Sequence, residues 1–150
     1  IPVIAAGGIA TGKQMLAAMV LGAEGVQMGS RFVASEEASS HINFKNAILS
    51  ASEGDTKLMM KKLVPVRLMK NIFFEQVQKA EDDGATSETL KELLGRGRAK
   101  KGMFEGDLED GELEIGQASA LISNILPAAG IVKNIYREFE QAITNPVKRK

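Results

Sequence analysis

The chain has 150 residues, 44% of them hydrophobic and 25% charged, the balance of an ordinary soluble globular protein. Lys plus Arg and Asp plus Glu each total 19, so the formal net charge is zero and the basic excess of a nucleic-acid binder is missing. Cysteine is absent, which excludes disulfides, thiolate metal sites and cysteine nucleophiles, and no apolar stretch reaches the length of a membrane span.

The elements follow in chain order. Residues 2–6 (PVIAA) form a short apolar run of the kind a parallel sheet buries on both faces, and it ends at Gly7-Gly8. Thr11-x-x-Gln14 matches a capping box and starts a helix carrying Met15, Leu16, Met19 and Val20, which Gly22 stops. GVQMG, residues 25–29, is a second strand, so strand, helix and strand make a βαβ unit. Ser30-Arg31-Phe32 reads as a tight exit. Ser35 with Glu36 and Glu37 reads as the next helix start, continued by Phe44, Ile48 and Leu49.

From Thr56 to Asn71 the pattern is weak; Leu58-Met59-Met60 and Leu63 to Val66 suit extended chain, and Pro65 blocks a helix. A helix is predicted over Ile72 to Asp82, another capped by Ser87 with Leu90, Leu93 and Leu94 on one face, and a short one after Gly116. Pro127 opens a final amphipathic helix with Ile131, Ile135, Phe139 and Ile143 on one stripe, and VKRK closes the chain as a frayed basic tail. The local basic stretches Lys61-Lys62 and Arg96 to Lys101 have acidic neighbours and read as solvated faces. Two parallel strands do not make a stable sheet, and Ile1 already belongs to a strand, so the chain reads as a piece of a longer protein with strands missing upstream.

Gly7 to Lys13 resembles a P-loop, but Gln14 stands where a Ser or Thr would ligate magnesium, and the capping box places Gly12-Lys13 in a helical turn. Lys13 is then bystander charge. A Rossmann fingerprint fails because Ile9 occupies its second glycine. A plain strand-to-helix turn needs no ligand at all. The remaining reading joins both strand ends. Gly7-Gly8 and Gly29-Ser30 end successive parallel strands at helix starts and expose backbone N–H groups suited to a phosphate dianion, the arrangement found after the last two strands of a (β/α)8 barrel. The paired signal is more specific than either half, and it is preferred.

The stretch AAGGIATGKQMLAAMVLGAEGVQMGSRF, with ASSHINFKNAIL and GRGRAKKGMFEGDLEDGELEIGQASALI downstream, resembles the nitronate monooxygenase family (formerly 2-nitropropane dioxygenases), which includes the enoyl-acyl carrier protein reductase II enzymes. The resemblance implies an α/β chain that is the C-terminal part of an FMN-dependent (β/α)8 TIM barrel. Residues 1–50 would hold its last two βα units, and residues 51–150 a mainly helical C-terminal region. Carried over position by position, the FMN phosphate contacts fall on Gly7, Gly8, Gln27, Met28, Gly29 and Ser30, the last where the family often has Thr. Gly116 and Gln117 match a segment near the flavin and substrate pocket.

The family's catalytic histidine would lie upstream of this chain, so no catalytic residue is assigned within it. His41, the only histidine, falls at a helix start outside the chemistry. The implied activity is a cytoplasmic flavoprotein oxidoreductase. In the reductase, NAD(P)H reduces FMN, which passes hydride to an enoyl thioester on acyl carrier protein; in the monooxygenase, the substrate is a nitronate. The EGD…GQ segment favours the reductase-like branch. No metal, nucleic acid or membrane partner is implied, and a homodimer is possible for such an enzyme. The alternatives are another FMN or phosphate-binding barrel, such as the inosine-monophosphate dehydrogenase group, and a non-catalytic fragment.

Overall fold

In the computed structural model, which describes residues 1–145, the chain begins with β1 (Ile4–Ala6), α1 (Gly12–Val20) and β2 (Gly25–Gln27). The two strands pair in parallel, with Ile4, Ala5 and Ala6 opposite Gly25, Val26 and Gln27. The capping box forms as expected. The Thr11 hydroxyl accepts the Gln14 N–H at 3.2 Å, and Gln14 Oε1 accepts the Thr11 N–H at 3.2 Å. Gly22, at φ +104°, ends the helix. Val3 and Ile4 are more than half exposed, so this strand pair does not bury its own apolar faces.

Beyond β2 the chain takes one short turn of helix, α2 (Ser30–Val33), where a plain exit is predicted. The helix expected at Ser35 begins instead at Ile42, as α3 (Ile42–Ser50), capped by His41. Ser35 and Glu37 are occupied elsewhere. Ser35 forms a parallel bridge with Leu126. The Glu37 carboxylate accepts the Ala128 N–H at 2.8 and 3.0 Å. The capping chemistry of Glu37 is real, but it serves an element 91 residues away.

The weakly patterned region resolves into an antiparallel hairpin, β3 (Thr56–Met59) and β4 (Val66–Met69). Residues 113–115 extend it on the β4 side. The Met69 N–H reaches the Leu113 carbonyl at 2.9 Å, and the Ile115 N–H reaches that of Arg67 at 3.2 Å. Next come α4 (Ile72–Asp82), over the span predicted, and α5 (Ser87–Leu94), capped by Thr86 rather than Ser87. A π-helical turn (Lys100–Phe104), a 3-10 helix (Gln117–Leu121) and α6 (Ala128–Thr144) complete the described chain. On α6 the buried stripe is Ile131, Ile135 and Ala142, while Ile143 faces out. The predicted basic tail, Val147 to Lys150, lies outside the described residues. Among those described, no helix is long and apolar enough to cross a membrane.

The hairpin separates two cores, because successive strand residues face opposite sides. Met69, Leu113 and Ile115 join Ala34, Phe44, Ile48 and Ile122 on one side. Leu68 and Met59 join Met60, Phe73, Phe74, Val77 and Leu90 on the other. The first core contains residues from both sides of position 50, so apolar packing runs continuously from the α3 region into the hairpin region.

Candidate functional site

Helix α1 shows first what the opening glycines do not do. Two of its N-terminal donors are taken by protein side chains. Gln14 N–H goes to Thr11, and the Gly12 N–H is held by the Glu138 carboxylate of α6 at 2.9 Å. A Cβ on Gly12 would strike the backbone of Ile135 and Phe139, so this glycine exists to let α1 and α6 approach closely. Lys13 is exposed beside it. Two of the donors that a P-loop would offer to phosphate are therefore already engaged.

The turn before it is open. Gly7 and Gly8 stand at φ +92° and +71°, a region that side-chain-bearing residues rarely occupy, and a Cβ on either would meet nothing within 4 Å. Gln14 also fixes this turn. Its Nε2 donates to the Gly8 carbonyl at 3.0 Å while Oε1 accepts the Ala10 N–H at 2.9 Å. One side chain therefore caps α1 and holds the second glycine in place.

Continuing the parallel register places Gly7-Gly8 alongside Met28-Gly29 at the same end of the sheet. Gly29, at the start of α2, also has open space where a Cβ would be. Ser30 Oγ accepts the Gly116 N–H at 3.1 Å, across 86 residues of sequence. Because that bond uses an oxygen lone pair, the hydroxyl proton remains free to donate to an anion. A Cβ on Gly116 would lie 2.8 Å from Ser30 Oγ, so the contact depends on glycine at 116. The structure thus gathers Gly7-Gly8 with Met28 to Ser30, and brings Gly116 onto Ser30. Gln117 is exposed at the start of the 3-10 helix.

Two of the residues carried over differ in orientation. Val26 and Met28, two apart on one strand, line an apolar cavity with Met15, Phe32, Ile135 and Tyr136. Met28 can therefore offer an anion only its backbone. Gln27, between them, is exposed and faces away from that cavity.

His41 is architectural. Its Nδ1 accepts the Asn43 N–H at 3.1 Å, its own N–H reaches the Met103 carbonyl at 2.8 Å, and its ring packs on Gly106. The EGD segment is also a lock. Asp107 pairs with Lys101 at 2.9 Å and accepts the N–H groups of Glu109 and Asp110. The Lys101 hydrogen bond and those two N–H groups hold its carboxyl down at about 2.

Residues that the sequence reading did not single out complete the frame. Arg31 is buried, and its guanidinium donates to the Asn124 backbone carbonyl at 3.0 Å and to its side-chain oxygen at 2.6 Å. Burial lowers its pKa, and nearby Glu138 opposes that shift. Asn71 caps α4 through Phe74 N–H and donates to the carbonyls of Leu108 and Gly111. An Asn just before a predicted helix was the available signal for Asn71; nothing local marks Arg31.

Residues 1–138 match the family model for nitronate monooxygenase. A protein of Staphylococcus aureus described as a probable nitronate monooxygenase is 38% identical over 144 residues, covering 94% of this chain and 39% of the relative. A counterpart in Staphylococcus saprophyticus is 31% identical, over 92% and 39% respectively. The chain therefore spans about two fifths of the length of these curated relatives. Among solved structures, FabK from Thermotoga maritima has a TM-score of 0.89 at 41% identity, covering 97% of this chain and 46% of that one. A nitroalkane oxidase from Streptomyces ansochromogenes has a TM-score of 0.76 at 28% identity, covering 96% and 41%. With α/β relatives sharing its fold and a family model matched along most of its length, the chain belongs to the nitronate monooxygenase family.

Proposed function

We propose that the whole protein is an FMN-dependent oxidoreductase whose flavin phosphate rests on the glycine turns after β1 and β2. The observation that carries this reading is the pair of open turns at one end of a parallel strand pair, Gly7-Gly8 and Gly29-Ser30, with nothing within 4 Å where the three glycine side chains would be. The residues present fit a phosphate. They offer backbone N–H donors that no side chain obstructs and a Ser30 hydroxyl with its proton to give. The alternative anion position, the α1 N-terminus, is already filled by Glu138 and Thr11. β1 and β2 are then adjacent strands of a (β/α)8 barrel, a reading supported by their parallel pairing around α1 and by the exposed apolar residues Val3 and Ile4.

FMN supplies hydride or single-electron transfer when bound. This chain's contribution is to anchor and orient it. Gln14 holds the Gly8 turn, Gly116 holds Ser30, and Gly116-Gln117 border the space beside the anchor. The reductase-like branch is the preferred activity, with NAD(P)H as co-substrate and an enoyl thioester as acceptor; the FabK neighbours at 40% and 41% identity support it. Nitronate oxidation is the second reading, favoured by the names of the curated relatives.

Purification of the whole protein should give a yellow solution with stoichiometric FMN. The flavoprotein should consume NADH or NADPH with a crotonyl thioester faster than it consumes oxygen with an alkyl nitronate. The reverse ratio selects the monooxygenase, and a colourless protein that takes up no FMN overturns the flavin reading.

A further inference from the structure

The face of the hairpin region opposite the α3 core carries two acidic residues with no ion-pair partner among the described residues. Residues 113–115 pair antiparallel with β4, and Glu114 lies across from Leu68. Alternation sends Leu113 and Ile115 into one core, at 2% and 5% exposure, and Glu112 and Glu114 to the opposite face with Leu68 and Val66. There the two carboxylates border a cavity of about 220 Å³ whose walls are otherwise apolar, including Met60, Leu63, Val66 and Leu94.

Glu112 is only 6% exposed. Among the described residues its carboxylate has no ion pair or hydrogen bond. Its oxygens are not sealed in protein, since no described side-chain N or O atom is both fully enclosed and unpartnered. They open into the cavity. The basic group whose charge acts on it, Arg98, is engaged elsewhere. Its Nε donates to the Leu94 carbonyl at 2.9 Å, one terminal nitrogen donates to that of Asp110 at 2.8 Å, and its plane covers the Phe73 ring at 4.5 Å. Burial first, and repulsion from Glu114 second, push the Glu112 carboxyl up to about 7, against the opposing pull of Arg98.

A buried carboxylate is costly unless it is paired or protonated. Among the described residues no cation pairs with Glu112, yet a second carboxylate stands beside it and room is left in front of both. We infer that this cavity is a binding site for a small organic cation, a primary ammonium on a compact apolar body, with Glu112 and Glu114 holding the ammonium and Met60, Leu63, Val66 and Leu94 the apolar part. The size is suitable. A cavity of roughly 150 Å³ accommodates benzene, so 220 Å³ accommodates a ring with an aminomethyl group. Anions are repelled by two carboxylates, and neutral donors make weaker hydrogen bonds to them than an ammonium does. A bare metal ion would find too few oxygen ligands among the apolar walls. None of its lining residues belongs to the glycine turns, and amine binding is measured without reference to flavin.

The test is calorimetric titration of the whole protein at pH 8 with benzylammonium, benzyl alcohol and benzoate as probes. Benzylammonium should bind one to one and at least tenfold more tightly than benzyl alcohol, and benzoate should not bind. Glu112→Gln should reduce benzylammonium affinity at least tenfold while leaving benzyl alcohol unchanged, and Glu114→Gln should reduce it less. Val66→Phe, which fills the cavity, should abolish binding of both; the melting temperature of each variant verifies folding. Equal affinity for the ammonium and the alcohol, unchanged binding in Glu112→Gln, or no binding by the unaltered protein overturns the inference.

Discussion

Two glycine-rich regions of this molecule look alike in sequence and differ in what the missing side chains leave behind. Above Gly7, Gly8 and Gly29 there is open space. Around Gly102, Gly106 and Gly111 there is none. A Cβ on Gly102 would lie 2.6 Å from the Glu112 carbonyl oxygen, one on Gly106 would enter the His41 ring, and one on Gly111 would strike the Gly102 backbone and the Asp107 carbonyl. The first set keeps room for something outside the chain. The second set lets the chain pack on itself. Glycine content alone cannot separate the two; only the neighbours do.

Gly111→Ala should have the largest effect. Its contacts are backbone on backbone, which cannot swing aside as a flexible side chain would, so the variant should lose at least about 3 kcal/mol of stability or fail to accumulate in folded form. Denaturant unfolding measures it, and near-native stability would erase the distinction between the regions. Asn71→Ala comes next. It removes the α4 cap and two side-chain bonds, to Leu108 and Gly111, that tie the helix to the same packed loop. A loss of about 2 kcal/mol is expected in the same assay, with flavin binding unchanged once the protein is folded.

Gly29→Val probes the open region. Its φ of −97° suits any residue, and an added Cβ has no protein atom within 4 Å. Stability should change by less than about 0.5 kcal/mol. Flavin affinity should fall at least tenfold, because the added methyls occupy the position proposed for phosphate. Full flavin occupancy in this variant would remove Gly29 from the site.

The same contrast explains what was legible in the sequence. The α1 capping box was readable because Thr11 and Gln14 satisfy each other within one turn. The span of α4 was readable from local pattern for the same reason. Ser35 and Glu37 misled because their partners, Leu126 and Ala128, are distant in sequence. The hairpin was faint because Met59 and Met60 are both buried, the second at φ +57°, so the run shows no alternation. Within the candidate site, the glycine turns could be read from strand ends, whereas the Ser30 to Gly116 bond required the fold. The EGD segment was informative about family, yet Asp107 works as a lock within the packed loop.

Glu112 gives a smaller, pH-dependent effect in the packed region. Its carboxyl is raised from an ordinary 4.5 to about 7, so folding favours the protonated form. The stability it contributes is complete below pH 4.5 and is lost as pH rises through 7. Glu112→Gln cannot ionise, so in the absence of added amines it should melt higher than the unaltered protein at pH 8, with little difference at pH 4.5. A difference that is the same at both pH values would mean that the carboxyl is not perturbed by burial.

Lys13→Ala should do the least, and that is its value. If Gly7 to Lys13 were a phosphate loop, the lysine would carry much of the binding energy and its loss would cripple the protein. Here Lys13 is exposed in the first turn of α1, two of whose N-terminal donors already go to Glu138 and Thr11. The proposed anchor lies one turn earlier, in backbone groups that a surface cation does not shape. Flavin affinity in Lys13→Ala should stay within about twofold of the unaltered protein, a difference near RT ln 2 and below what an exposed charge usually contributes. A tenfold loss would move the phosphate from the open glycines to the helix end, and the contrast between the two regions would no longer locate the site.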